Sequence, residues 1–108
     1  MKRALILAAL LLTACQEEAQ DISPVELTEM AVGHYCQMEL LEHPGPKAQV
    51  HLEGAPGKPL FFSQVRDAIA YSRLPEQDGV ILAIYVNDMG AIGTTWDNPG
   101  TMNWTPAD

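Results

Sequence analysis

"AQVHL", Ala48 to Leu52, and "LFF", Leu60 to Phe62, decide the fold. The first alternates polar and apolar residues, as a half-buried strand does. The "EGAPGKP" between them is a turn by composition. The two runs therefore read as arms of a hairpin. "SQVRDAIAYSR" follows, with Ser63 expected to cap a helix through about Arg73, its hydroxyl accepting from orphan backbone amides. Val65, Ala68, Ile69 and Ser72 share one helical face, and Leu74-Pro75 ends the helix. "GVILAIYV", Gly79 to Val86, is a continuous apolar run whose length and β-branched content predict a buried central strand. The order is β-β-α-β: a hairpin, one helix and a buried strand closing a small α+β layer. The glycine-rich "NDMGAIGTTWDNPGTMNWTPAD" reads as a long C-terminal loop anchored by Trp96 and Trp104.

Working back toward the N-terminus, "HPGPK", His43 to Lys47, is a rigid loop, because two prolines fix φ. "ELTEMAVGHYCQMELLEH" has no clean period and reads as turn and short strand. Lys2 and Arg3 precede an apolar run from Ala4 to Leu12. That run falls short of the roughly twenty residues a membrane span needs and fits a secretory signal. It ends in "LTAC", Leu12 to Cys15, the pattern of a bacterial lipoprotein signal, in which the thiol of Cys15 takes the diacylglycerol. Residues 1–14 are thus expected to be a signal peptide and residues 15–29 a lipidated acidic tether, with a single domain over 30–108. The expected location is a bacterial membrane, facing the periplasm. Gln16, rather than Asp, after the acylated residue favours the outer membrane by the enterobacterial sorting rule.

Charge excludes some function classes. With Lys2 and Arg3 in the leader, four of the six basic residues face fourteen acids in the mature chain. Nucleic-acid binding relies on a basic footprint, which is missing here. Adhesion to anionic lipid by charge is excluded likewise, so acyl chains must do the anchoring. Cysteine counting is more pointed. There are two cysteines, and if Cys15 carries lipid, Cys36 has no partner within the chain, an unusual state in an oxidising compartment.

"GHYCQMELLEHPGPKAQVHL", Gly33 to Leu52, collects the candidate chemistry. Cys36 and Met38 place a thiol and a thioether one residue apart, and such soft donors select Cu(I) over hard ions. Two sulfurs make an incomplete site. His34 is close in sequence, and Met89 in "NDMG" sits on a turn that could fold back; His43, His51, Met30 and Met102 are weaker candidates. Zinc would prefer more Cys or His. Nucleophilic catalysis by Cys36 with His34 lacks an orienting third residue. A buried inert thiol, or a lipoprotein that only docks through its acidic surface, remains open. Asp88 is expected to stabilise its turn, and His51 to be an exposed or hydrogen-bonded strand residue facing away from Val50 and Leu52.

"GHYCQMELLEHPGPKAQVHL", "VRDAIAYSRLPEQ", "LAIYVNDMGAIGTTWDNPG" and "MNW", in this order, resemble the nitrous oxide reductase accessory lipoproteins, the NosL family, from about Met30 to Trp104. The resemblance implies a periplasm-facing lipoprotein, not an enzyme, that binds Cu(I). It implies delivery of copper for the copper centres of nitrous oxide reductase. The implied partners are an ABC-type maturation complex and its periplasmic subunit, and the reductase itself. It also implies a β-β-α-β unit present twice in full-length members, likened to organomercurial lyase, with only the first unit expected here. Residue by residue it carries Cys36 and Met38 over as ligands, Met89 as the third, and His34 as the substitute. The family pattern Cys-Gly-Met becomes Cys36-Gln37-Met38. A positive φ at that position would cost Gln37 about 1 kcal/mol in strain.

Overall fold

A computed structural model describes residues 19–108. The leader, the lipobox and Cys15 lie outside the described residues. Strand β1 (Ala48–Leu52) pairs on one side with β2 (Leu60–Phe62) and on the other with β3 (Ile81–Asn87). A fourth strand, β4 (Trp104–Pro106), extends the sheet beyond β3, giving the antiparallel order β2-β1-β3-β4. Helix α1 (Val65–Ser72) crosses from β2 to β3. The hairpin, the helix and the third strand thus stand where the residue pattern put them.

The helix packs on one sheet face. Ala48, Val50 and Leu52 of β1 point to it, with Phe62 beside them and Ala68 and Tyr71 descending from α1. Ile84 and Val86 of β3 complete that layer through the register Val50↔Ile84 and Ala48↔Val86. Phe62 is 1% exposed and is the largest of the fully buried side chains among the described residues. The Tyr71 hydroxyl donates to Asp78 Oδ2 at 3.0 Å and accepts from the Asp78 amide at 3.2 Å, which pins the α1–β3 loop.

The opposite face is covered too, and this departs from expectation. Residues in the stretch read as a free tether lie on the sheet. Val25 donates its amide to Gln49 Oε1 at 2.8 Å and accepts from Gln49 Nε2 at 3.0 Å. Gln20 bridges the Leu52 carbonyl and the Gly54 amide. Leu27 and Ala31 then join Leu40, Phe61 and Trp104 in a second apolar cluster. The physical reason lies in β1 itself: Gln49 and His51 occupy its second face, and their polar groups need partners once that face is enclosed. A strap from Gln20 to Leu27 provides some of them, so these residues are packed on the sheet.

Three further expectations change. The fully buried strand is β1, not β3; Leu82 of β3 is 39% exposed. The C-terminal loop is interrupted by β4, a three-residue edge strand whose Pro106 has no amide to offer, tolerable only at an edge. The helix begins one residue later than read, with Gln64 at the N-cap and no side-chain cap bond. Ser63 is turned to other use, described below. The stretch ahead of β1 is mostly turn, with isolated bridges Val32↔Glu39 and Gly33↔Phe61 and a single 3-10 turn at Leu40–Glu42.

His51 is fully buried. Its Nε2 lies 2.7 Å from Gln49 Oε1. That oxygen can only accept, so Nε2 carries the proton and the ring is the neutral Nε2–H tautomer. Nδ1 is left enclosed without a partner among the described residues. Burial holds the His51 pKa below its ordinary 6.5, against a smaller opposing pull from Asp21. As pH falls the unfolded chain therefore binds the proton first. Stability is complete above about pH 6.5 and is lost as pH drops from there toward the folded-state pKa. Thermal melts across that window should show the decline, and His51→Gln, which keeps a donor for Gln49 but does not titrate, should flatten it.

Candidate metal centre

Residues 31–40 close on themselves. Leu40 donates its amide to the Ala31 carbonyl at 3.1 Å, Gly33 to Met38 at 3.0 Å, and Gln37 to Gly33 at 2.9 Å. The His34 amide, bonded to the Phe61 carbonyl at 2.7 Å, fastens the loop to the free edge of β2. Gln37 turns the chain at its apex with φ of 59°, the left-handed region that L residues enter at a cost. This is the conformation for which a glycine between the two sulfur residues would be suited. Gln37 Nε2 partly offsets the strain by donating to the His34 carbonyl at 2.8 Å. The left-handed residue also breaks strand alternation between Cys36 and Met38.

Cys36 is a free, half-buried thiol. The Ser63 side chain beside its sulfur is the main cause that lowers its pKa below the ordinary thiol value; backbone groups of Met38, Cys36 itself and Gly33 add to it, against a desolvation penalty. A lowered pKa makes the thiolate, the nucleophilic and metal-binding form, easier to reach. Gly33 makes the arrangement possible: a Cβ there would run into Cys36 Sγ. Met38 is 51% exposed, so its thioether meets solvent beside the thiol loop.

Loops from three places gather at this end of the sheet. Because Ala48 pairs with both Phe62 and Val86, the next residues outward, Ser63, Lys47 and Asn87, stand side by side. Lys47 is buried, and its Nζ donates to the carbonyls of His43 at 2.6 Å and Gly45 at 3.1 Å. Its amide bonds Asn87 Oδ1 at 2.7 Å. The "HPGPK" loop is thus held from inside. Trp96 closes its outer side, with its ring against Gly45, where the left-handed φ of 84° and the near contact both exclude a side chain. A cavity of about 410 Å³ is lined by His43, Pro44, Gly45, Ser63, Val65 and Trp96, among others. A neighbouring cavity of about 520 Å³ is lined by Met38, Glu39, Glu42, His43 and Pro44.

The other residues singled out in the sequence fall elsewhere. The His34 ring packs 5.7 Å from Phe62 and 5.6 Å from Tyr71, and its Nε2 is 3.7 Å from Asp78 Oδ2, on the helix side. Met89 lies in the turn after β3, at the same end of the sheet as Cys36 but with β1 between that turn and Ser63, roughly 10 Å at two strand spacings. Asp88 does stabilise that turn, its Oδ1 accepting from the Gly90 amide at 3.0 Å. Met30 is 86% exposed, and Met102 lines a separate cavity with Ile92 and Asn98. Sequence reading gave Ser63, Lys47 and Trp96 no part in this end of the sheet; Ser63 meets Cys36, Trp96 meets Gly45 and the Lys47 amide meets Asn87 only through long-range contact. Among the described residues, no group of three or more His, Cys, Asp or Glu converges as a zinc or hard-ion site requires. Thiol and thioether are soft donors, the type that suits soft metal ions rather than hard ones.

A small antiparallel α+β unit carrying a thiol and a thioether on one end loop defines the class of protein. The family model for NosL matches residues 24–108, and the chain belongs to the NosL family. It is 67% identical over 106 residues to the copper-binding lipoprotein NosL of Achromobacter cycloclastes, covering 96% of this chain and 54% of that protein. The chain thus spans about half the length of that curated relative. Its fold is similar to the crystal structure of the copper chaperone NosL from Shewanella denitrificans, with a TM-score of 0.65 and 25% identity over 85% of this chain and 63% of that one.

Two substitutions probe the thiol. Ser63→Ala removes the main group favouring the thiolate, so the midpoint of the pH dependence of Cys36 alkylation should move up. Gly33→Ala should displace the sulfur, and its signature is a changed alkylation rate at constant pH together with a lowered melting temperature.

Proposed function

We propose that this chain binds one Cu(I) ion at Cys36 and Met38 and delivers it for assembly of the copper centres of nitrous oxide reductase. The observation that carries the reading is the thiol loop itself: Cys36 biased toward thiolate by Ser63, beside an exposed Met38, on a turn with an unusual left-handed residue between them. The names of the relatives, a copper-binding lipoprotein and a copper chaperone, support it.

The mechanism follows from donor chemistry. Thiolate and thioether hold the ion in its reduced state without redox cycling. An exposed methionine leaves one side of the ion open, so a partner's sulfur or nitrogen can enter before the first donors leave. Copper then passes by ligand exchange and never as a free ion. No substrate bond is made or broken, so the protein acts without catalytic turnover. A diacylglycerol on Cys15 would tether it to the membrane on the periplasmic side, the outer membrane by the Gln16 rule. Receiving partners would be the ABC-type maturation complex, its periplasmic subunit, and the reductase.

Anaerobic titration of the chain with Cu(I) against a competing chelator should give one tightly held ion per chain. Cys36→Ala should lose it and Met38→Leu should weaken it. Unchanged affinity in the Cys36 variant would remove this function. Incubation of the loaded chain with copper-free reductase and its maturation complex should restore the reductase's copper centres faster than free copper does.

A further inference from the structure

We propose that the strap fixes how the domain sits on the membrane: the Leu52 end of the sheet faces the bilayer surface, and the end with Met38 and Ser63 faces away. The proposal rests on the lipid anchor at Cys15 proposed above and adds the orientation that this anchor imposes.

The strap enters at one end of the sheet only. The Gln20 side-chain amide donates to the Leu52 carbonyl at 2.9 Å and accepts from the Gly54 amide at 2.8 Å, so both of its halves are paired to main chain. Asp21 holds the next turn, its Oδ1 accepting from the Ser23 amide at 2.9 Å and the Ser23 hydroxyl at 2.6 Å. The Glu53 amide donates to the Val80 carbonyl at 2.8 Å, which ties the β1–β2 turn to the start of β3. A pull on the chain ahead of Gln20 is therefore passed to Leu52, Gly54 and Val80 together.

Reach makes that entry point decisive. Cys15 stands five residues before Gln20, and five residues at full extension span at most about 18 Å. A free spacer running to residue 29 would span about 50 Å and leave the domain to tumble. Ser63 stands level with Lys47, five strand steps from Leu52, or roughly 17 Å along β1. An anchor so close to Leu52 brings the β1–β2 turn and the loop at 73–80 to the headgroups. Met38, the His43–Lys47 loop and Trp96 then point toward the aqueous side, where a soluble partner meets them.

The side chains at the two ends agree with this. Lys58 and Arg73 are two of the three exposed cations among the described residues, and they lie in these two membrane-side segments. Leu74 and Val80, in the second of them, are 46% and 60% exposed. Cations on long apolar stems and exposed aliphatic side chains suit the boundary between headgroups and acyl chains. Glu53, Glu76 and Asp78 share this end, so the acyl chains do the holding and the loops rest on the surface. The far end sets Arg66 against exposed Glu39, Glu42, Asp88 and Asp97, and an anionic leaflet repels it.

The test uses the full acylated chain, labelled with nitrogen-15, in nanodiscs of phosphatidylethanolamine and phosphatidylglycerol doped with a gadolinium-chelating lipid. Amides of Gly54, Ala55 and Val80 should broaden several-fold more than those of Gly45, Ile92 and Trp96. Gln20→Ala, acylated to the same extent, should keep its fold through the Val25–Gln49 pair and lose most of that gradient. Uniform broadening, strongest broadening at Trp96 and Ile92, or a gradient that survives Gln20→Ala overturns the proposal. So do resonance shifts at Gly54 and Val80 that grow with concentration in unacylated Cys15→Ser, which would assign this end to a second copy of the chain. If Gln20→Ala does not fold by circular dichroism, the gradient in the unaltered chain decides. A purified chain whose mass shows no diacylglycerol on Cys15 overturns the anchor reading itself, so the two failures are distinguishable.

Discussion

Burial of β1 on both faces is the constraint from which the rest of this structure follows. A small domain usually hides one sheet face and leaves the other wet. Here the helix covers Val50 and Leu52, while the other face presents Gln49 and His51, both fully enclosed. Two polar side chains in the most buried strand demand partners: the main chain at Val25 bonds Gln49, Gln49 in turn bonds His51, and Gln20 fixes the end of the strand. The strap so recruited leads directly into Leu27, Ala31 and the thiol loop. A polar satisfaction requirement in the sheet therefore fixes where the Cys36 loop starts.

The same economy operates at the sheet end. Phe62 of β2 is a core residue, and the residue after it, Ser63, is the group that biases Cys36 toward thiolate. Lys47, next to Ala48, buries an ammonium whose pKa is lowered by desolvation and spends its donors on the His43 and Gly45 carbonyls. Strand register thus sets which loops meet: Ser63 and the His43 loop gather beside the Cys36 loop because Ala48 pairs with Phe62. Chemistry on loops positioned by a rigid sheet is a common arrangement. It leaves Met38 exposed while the loop backbone stays hydrogen-bonded.

Much of the fold was legible. Alternation in "AQVHL", the turn composition of "EGAPGKP" and the apolar length of "GVILAIYV" gave the hairpin, the helix between and the third strand. The strand at Trp104–Pro106 was not legible, because three residues ending in proline carry no periodic signal and form a strand only by pairing with β3. Ser63 looked like a helix cap by local rules; tertiary proximity to a thiol twenty-seven positions earlier claimed its hydroxyl instead. The strap looked like a tether because its sequence is polar and acidic, and only the buried amide of Gln49 gives it a place to bind.

The sequence by itself determined that a thiol and a thioether stand two positions apart, and what Gln37 between them would bear were its φ positive, a cost foreseeable from chirality. It also determined the family, since several motifs in order are a one-dimensional property. Only the tertiary structure decided which groups meet those donors. His34, nearest in the chain, is drawn to the aromatic cluster on the helix side, while His43 lines the cavities beside Met38 and Ser63. Spacing along a chain limits what can bond locally, but contact between residues far apart is set by strand register and by which buried polar atoms must be satisfied.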